Sequence, residues 1–276
     1  MFEDRFALTR VDRDIFTGFC HAGAPLRAFG GQVAAQALVA AGSTVEQDGR
    51  RVHSLHGYFL RAGRTADPIV YLVERPRDGR SFSTRLVRAV QYGETIFTMS
   101  ASFADAEPGP ERHGPMPSVP SPDDLPEAQL PVGSDPRLRE LGYPDERLIA
   151  VRMVDPALVA EATGGTAQRM AWFRTCERLP DAPLSHVCAL TYFSDITLPG
   201  TTIATLTAAE REPLRLASID HAMWFHSSFR ADDWVLFVQD SHVSSGGHAL
   251  ARGEFFRPDG TLVATAVQEV LIRGTH

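Results

Sequence analysis

Ten of the 19 prolines crowd into one stretch of the chain, residues 106–147, which also carries Gly109, Gly114, Asp123 and Asp124. Such a run cannot continue a helix or a sheet interior, so it reads as a linker between an N-terminal part, 1–105, and a C-terminal part, 148–276. The two parts show the same order of elements. A shift of 166 residues lays Phe59 on Phe225, Glu74 on Asp240 and Thr95 on Thr261. Strands are predicted over 53–61, 68–75, 81–91 and 95–103, and again over 221–229, 234–242, 247–257 and 261–273. Turns at Tyr92-Gly93-Glu94 and Pro258-Asp259-Gly260 close the two hairpins.

One helix precedes the main strands of each half. Residues 32–43, QVAAQALVAAGS, follow Gly30 and Gly31 and are small enough to lie close against a curved sheet; residues 185–195, SHVCALTYFSD, follow Pro183 with Ser185 as the expected N-cap. A helix and an antiparallel meander, occurring twice, predict an α+β chain of two tandem modules whose sheets join edge to edge.

Composition removes several function classes. The net charge of -7 lacks the basic footprint of a nucleic-acid binder. There is no lysine, hence no Schiff-base or phosphate-loop lysine, and no GxSxG, HExxH or GxGxxG motif. Cys20, Cys176 and Cys188 are too few and too irregularly spaced for a disulfide framework, and read as small hydrophobes. The N-terminal MFEDRFALTR has no apolar leader, and nowhere is there a run of about 20 apolar residues, so a cytoplasmic chain without a membrane span is expected.

A few side chains stand out chemically. Gln268 alternates with Leu262, Ala264, Ala266, Val270 and Ile272, so a buried amide is expected on an otherwise apolar face. Taken alone, a glutamine bonded to neighbouring backbone explains it slightly better than a substrate contact does. Asp195 ends the predicted second helix, at the unfavourable end of its dipole, where a turn-forming role is the simpler explanation. Ser218 alternates onto a face with Leu216 and Asp220. His56 is a candidate acid or donor, though a satisfied core histidine is commoner. His242 and His248 lie on different predicted strands, and no metal site is expected. Arg61, Arg77, Arg80 and Arg85 gather around the first hairpin, either as a solvated face or as partners for an anionic ligand's phosphates.

The strings FGGQVAAQAL (29–38), HSLHGYFLRAG (53–63) and RDGRSFSTR (77–85) resemble the first half of the acyl-CoA thioesterase II family. FSD (193–195), ASIDHAMWFH (217–226) and RGEFFRPDGTLVATAVQE (252–269) resemble its second half. The resemblance implies a double hot-dog fold, hydrolysis of medium- to long-chain fatty acyl-CoA without a cofactor, and a homodimer or homotetramer. It also implies a water held by Asp195, Ser218 and Gln268, with serine where the family commonly has threonine. Gly30, Gly31, Gln32 and His56 are then candidates to hold the oxyanion or position the substrate, and the four arginines to meet coenzyme A phosphates. The repeat sets Val52 against Ser218 and Ser102 against Gln268, so a single active centre is expected. Two other readings remain: a hot-dog dehydratase or hydratase using a tunnel histidine, and a non-catalytic acyl-CoA-binding module.

Overall fold

Period-two alternation of buried and open residues along the hairpins builds one antiparallel sheet across both halves. The fold is seen in a computed structural model that describes residues 1–20, 27–46, 49–127, 148–165 and 168–274. The first half contributes β1 (Thr9–Asp12), β2 (Ile15–Gly18), β3 (Arg51–Phe59), β4 (Ile69–Asp78), β5 (Phe82–Gln91) and β6 (Glu94–Ala104). The second contributes β7 (Ile149–Met153), β8 (Arg169–Thr175), β9 (Leu214–Ser218), β10 (Asp220–Phe225), β11 (Val235–Ser245), β12 (His248–Phe256) and β13 (Leu262–Gly274). Their order is β1-β2-β4-β5-β6-β3-β10-β13-β12-β11-β8-β7, with β9 paired to β13. β3 and β10 join the halves, Leu55 opposite Met223 and Tyr58 opposite Asp220.

The helices are α1 (Gly30–Gly42), α2 (Pro156–Thr163), α3 (Pro183–Thr201) and α4 (Ala208–Arg211). α1 and α3 pack against each other inside the curve of the sheet. Small side chains make this possible: Ala34, Ala35, Ala37, Ala40 and Ala41 are fully buried, and a Cβ on Gly31 would lie 2.9 Å from the Tyr192 carbonyl oxygen. Two helices, each wrapped by half of a shared sheet, form the double hot-dog arrangement.

Two expectations about α3 are corrected. Ala182 is its N-cap, with Pro183 opening the helix, and the Ser185 hydroxyl donates to Glu3 at 2.8 Å instead of capping. The helix also continues through Pro199 to Thr201, so Asp195 lies inside it. Burial of Leu198 and Thr201 favours the extra turns despite the amide hydrogen that Pro199 lacks. Residues 116–125 of the proline-rich stretch are packed too, while 106–115 are exposed. Met116, Val119 and Leu125 lie on a cluster containing Met170, Trp172, Leu236 and Phe256, and the Trp172 indole donates to the Pro120 carbonyl at 3.1 Å. Pro131 and Pro136 lie outside the described residues.

The repeat extends to its irregularities. Register shifts between Glu74 and Arg77 in one half and between Asp240 and Val243 in the other, again 166 residues apart. In the hairpins, however, Ala89 pairs with Phe97 and Phe255 with Ala264. The offset is therefore 166 on the first strand (255 − 89) and 167 on the second (264 − 97). One extra residue in the second turn reverses the face of everything aligned at constant shift. The counterpart of Gln268 is thus the buried Ala101; Ser102 points to the outer face, where it bonds His53 at 2.8 Å.

Candidate active site

Three elements bring the candidate side chains together. Asp195 comes from α3, Ser218 from the end of β9 and Gln268 from the middle of β13. Between β9 and β10, Ile219 breaks the alternation; its carbonyl accepts from the Phe59 amide and its amide donates to the Glu269 carbonyl, each at 2.9 Å. The bulge turns Ser218 and His221, three residues apart, to the same inner side, and leaves Asp220 outside, accepting from the Glu269 amide at 2.7 Å. The face shared by Ser218 and Asp220, expected from strict alternation, is therefore not formed.

Asp195 is 7% exposed and receives three donors. The Gln268 amide donates to Oδ1 at 2.8 Å, the Gly31 backbone N–H donates to Oδ2 at 2.7 Å, and the Ser218 hydroxyl reaches Oδ1 more loosely at 3.4 Å. Gly31 lies in the first turn of α1, so the carboxylate meets the positive end of that helix, the reverse of the dipole placement expected from sequence. Gly30 permits the approach, since a Cβ there would lie 2.8 Å from Asp195 Oδ2 and 3.0 Å from the Phe59 ring. Desolvation outweighs the donors and lifts the Asp195 pKa to about 6. This carboxyl sits near the midpoint useful to a proton acceptor at neutral pH. Phe29, Phe59 and Tyr192 supply apolar walls, with Phe29 and Tyr192 edge to face at 4.8 Å.

Comparison with known proteins gives the family. Residues 145–271 match the acyl-CoA thioesterase family and residues 21–104 match the family of acyl-CoA thioesterase N-terminal domains. Human acyl-coenzyme A thioesterase 8 is 37% identical over 96% of this chain and 86% of its own length. This chain belongs to the acyl-CoA thioesterase family. Haemophilus influenzae acyl-CoA thioesterase 2 is 36% identical over 96% of the chain and 94% of its own length. Acyl-CoA thioesterase II TesB2 of Mycobacterium marinum superposes with a TM-score of 0.86 at 44% identity, over 99% of this chain and 98% of that one. A hot-dog protein of Alicyclobacillus acidocaldarius, at 23% identity and a TM-score of 0.75 over 100% of this chain and 98% of that one, shares the fold.

The remaining candidates of this thioesterase-family chain separate clearly. His56 is exposed on the outer face, its ring edge-on to Trp224 at 5.0 Å, because strand alternation sends it away from Asp195; it is not a donor to the site. The Gln32 side chain donates to the carbonyls of Arg5 and Phe19 and accepts from Cys20, fixing the chain before α1 instead of facing substrate. The Gly31 amide is committed to the carboxylate and is not a free oxyanion donor.

Arg85 is 1% exposed and is corrected from a phosphate partner to an internal clamp. It donates to Thr44 Oγ1 at 2.7 Å, to the Thr44 carbonyl at 2.9 Å and to Asp78 at 2.7 Å, tying β5 to the end of α1. Arg77 and Arg80 are exposed at the turn beside Phe82, which pairs through Ala104 with Arg51 at the start of β3. That is the opposite end of the strand from Phe59, about 25 Å away at ~3.3 Å per residue. Arg61 alone of the four lies at the site's end, where it pairs with Glu94 at 2.9 Å.

The buried Cys20 thiol is pushed up to about 12 by desolvation and that of Cys188 is raised too, which makes neither a nucleophile. No helix among the described residues is long and apolar enough to cross a membrane. Sequence reasoning missed His221 and Ser194, which are buried beside Gln268 and linked Nε2 to Oγ at 2.8 Å. Their signal was the three-residue spacing from Ser218 to His221, legible only once the bulge is known.

Proposed function

We propose that the chain hydrolyses medium- to long-chain fatty acyl-CoA to free fatty acid and coenzyme A, with water as nucleophile, Asp195 as general base and no cofactor. The observation that carries this reading is a desolvated carboxylate fixed by three donors from three separate elements. In this mechanism Asp195 accepts a proton as the water oxygen bonds to the thioester carbon. The tetrahedral intermediate then collapses, the C–S bond breaks, and the carboxylic acid returns its proton to the leaving thiolate. Gln268 and Gly31 hold the carboxylate, and the loosely placed Ser218 hydroxyl orients the water. The Gly30 amide, one residue earlier in the same helical turn, is the donor this site offers to the oxyanion. Apolar rings of Phe29, Phe59 and Tyr192 receive the start of the acyl chain. Association into a homodimer or homotetramer is part of the proposal, with the exposed Tyr58, Leu86 and Trp224 on the outer face as contact residues.

The test is thiol release from saturated acyl-CoAs of graded length by the parent and Asp195→Ala. Loss of turnover in a folded variant supports the mechanism; full activity refutes it. An enoyl-CoA run in parallel checks for hydration, and binding without thiol release by the parent would return the reading to a non-catalytic module.

A further inference from the structure

Deep in the second half lies a buried imidazole that the proposed chemistry does not yet use. His221 is 1% exposed, and its inward-facing neighbour across β10 and β13 is Gln268, one step beyond the Ala222–Val267 pair. Two atoms between them lack partners among the described residues: His221 Nδ1 and Gln268 Oε1. A buried polar atom left so costs free energy, and one tautomer gives the two atoms complementary roles, donor and acceptor. With its proton on Nδ1 the ring has a donor to offer Gln268 Oε1, while Nε2 becomes the acceptor for the Ser194 hydroxyl 2.8 Å away, in place of that hydroxyl's 2.8 Å bond to the Thr191 carbonyl. The other tautomer sets Nδ1 as an acceptor and leaves Gln268 Oε1 unsatisfied.

We propose that His221 is a positioning residue of the proposed catalytic site, a neutral Nδ1–H imidazole that fixes the amide of Gln268 so that its NH2 group points at Asp195. The reason is directional. A glutamine side chain turned over would present its oxygen to the Asp195 carboxylate, replacing a 2.8 Å attraction with a repulsion. Ser194, on the same helix as Asp195, completes the relay from α3 through β10 and β13 back to α3.

The other half of the molecule shows that the fold does not require this pair. Counted along the corrected repeat, His221 corresponds to Leu55 (221 − 166) and Gln268 to Ala101 (268 − 167), both fully buried. Burial draws the His221 pKa down to about 4, opposed by the Gln268 side chain, so the ring stays neutral in the working range. Of the other ionisable groups on these strands, Glu269 turns outward to His248, Asp220 is taken up by the Glu269 amide and Arg273 is exposed near the strand's end; none faces Asp195.

The inference rests on the proposed role of Asp195, and its test separates the two. Nitrogen NMR on histidine-labelled parent protein should show the His221 resonances of an Nδ1–H tautomer; an Nε2–H tautomer overturns the proposal, whatever the kinetics. In parallel, His221→Leu, the residue found at the equivalent place in the first half, should lower kcat tenfold or more with KM within about threefold. It should also move the acid limb of the rate profile to higher pH. His221→Asn, which offers an N–H close to the Nδ1 position, should restore kcat to within about threefold of the parent. A Leu variant with kcat within twofold of the parent, or an Asn variant as impaired as Leu, overturns the role. Loss of activity in Asp195→Ala alongside unaffected His221 variants would leave the site reading standing and remove only His221 from it.

Discussion

Where the second half carries Ser218, His221 and Gln268, the first carries Val52, Leu55 and Ala101 on the same side of the same sheet, all of them buried. Even the strand irregularity is shared. The break at Ile219 in the second half corresponds to a register shift between Val52 and Ser54 in the first. The pair teaches what the fold itself asks of these positions, namely apolar volume. Polar atoms placed in such a site cost free energy unless every one is partnered, so their presence in one half agrees with the proposed active centre in that half.

The largest expected break in this asymmetry comes from Asp195→Asn. Removing the proposed general base should lower kcat/KM roughly 10²–10⁴-fold, measured by thiol release. The same change should not weaken the fold. A carboxyl lifted from 3.8 to about 6 disfavours the folded state once ionised, by on the order of 3 kcal/mol. That cost is absent below the unfolded pKa and complete above the folded one. Thermal unfolding should therefore show the Asn variant at least as stable as the parent at pH 8, with the difference shrinking toward pH 4; a variant weaker at pH 8 contradicts the desolvation argument. For the parent, kcat/KM should fall as pH drops through about 6, where Asp195 takes up a proton.

Arg85→Met probes an arginine whose work is confined to the first half. Leaving Asp78 without its partner should lower stability by about 3 kcal/mol with kcat/KM nearly unchanged, read by denaturant unfolding beside the thiol assay. A raised KM with unchanged stability would restore Arg85 as a ligand contact. Gln268→Ala makes the second half like the first at one position, and should cost about 100-fold in kcat while shifting the acid limb upward, because Asp195 loses a donor that favours its charged form. Ser218→Ala should cost about tenfold and Ser218→Thr less than threefold, in keeping with a hydroxyl at 3.4 Å. The smallest effect belongs to Ser102→Ala on the outer face, with stability within ±0.5 kcal/mol and kcat unchanged.

Much of the fold was legible because hairpin strands write their alternation directly into sequence, and β5, β6, β12 and β13 lie within a residue or so of their expected bounds. The short strands β1, β2, β7 and β8 were not anticipated: β1 is wholly exposed and shows no inner face. At the site, Asp195, Ser218 and Gln268 stand out by position in the sequence and take a catalytic role only through resemblance; the structure brings them together. His56 and Arg85 failed for complementary reasons, one turned outward by alternation and the other drawn inward by Asp78 and Thr44.

Sequence by itself determined the duplicated meander, the small-residue helix and the polar residues that interrupt apolar strands, since these follow from local period and side-chain size. Tertiary structure decided which way those residues face and what charge environment they meet. One extra residue in a turn exchanged Ser102 for Ala101, a bulge at Ile219 turned His221 inward, and the start of α1 met a carboxylate carried by α3. Face and field depend on contacts between segments far apart in the chain, which no local pattern records.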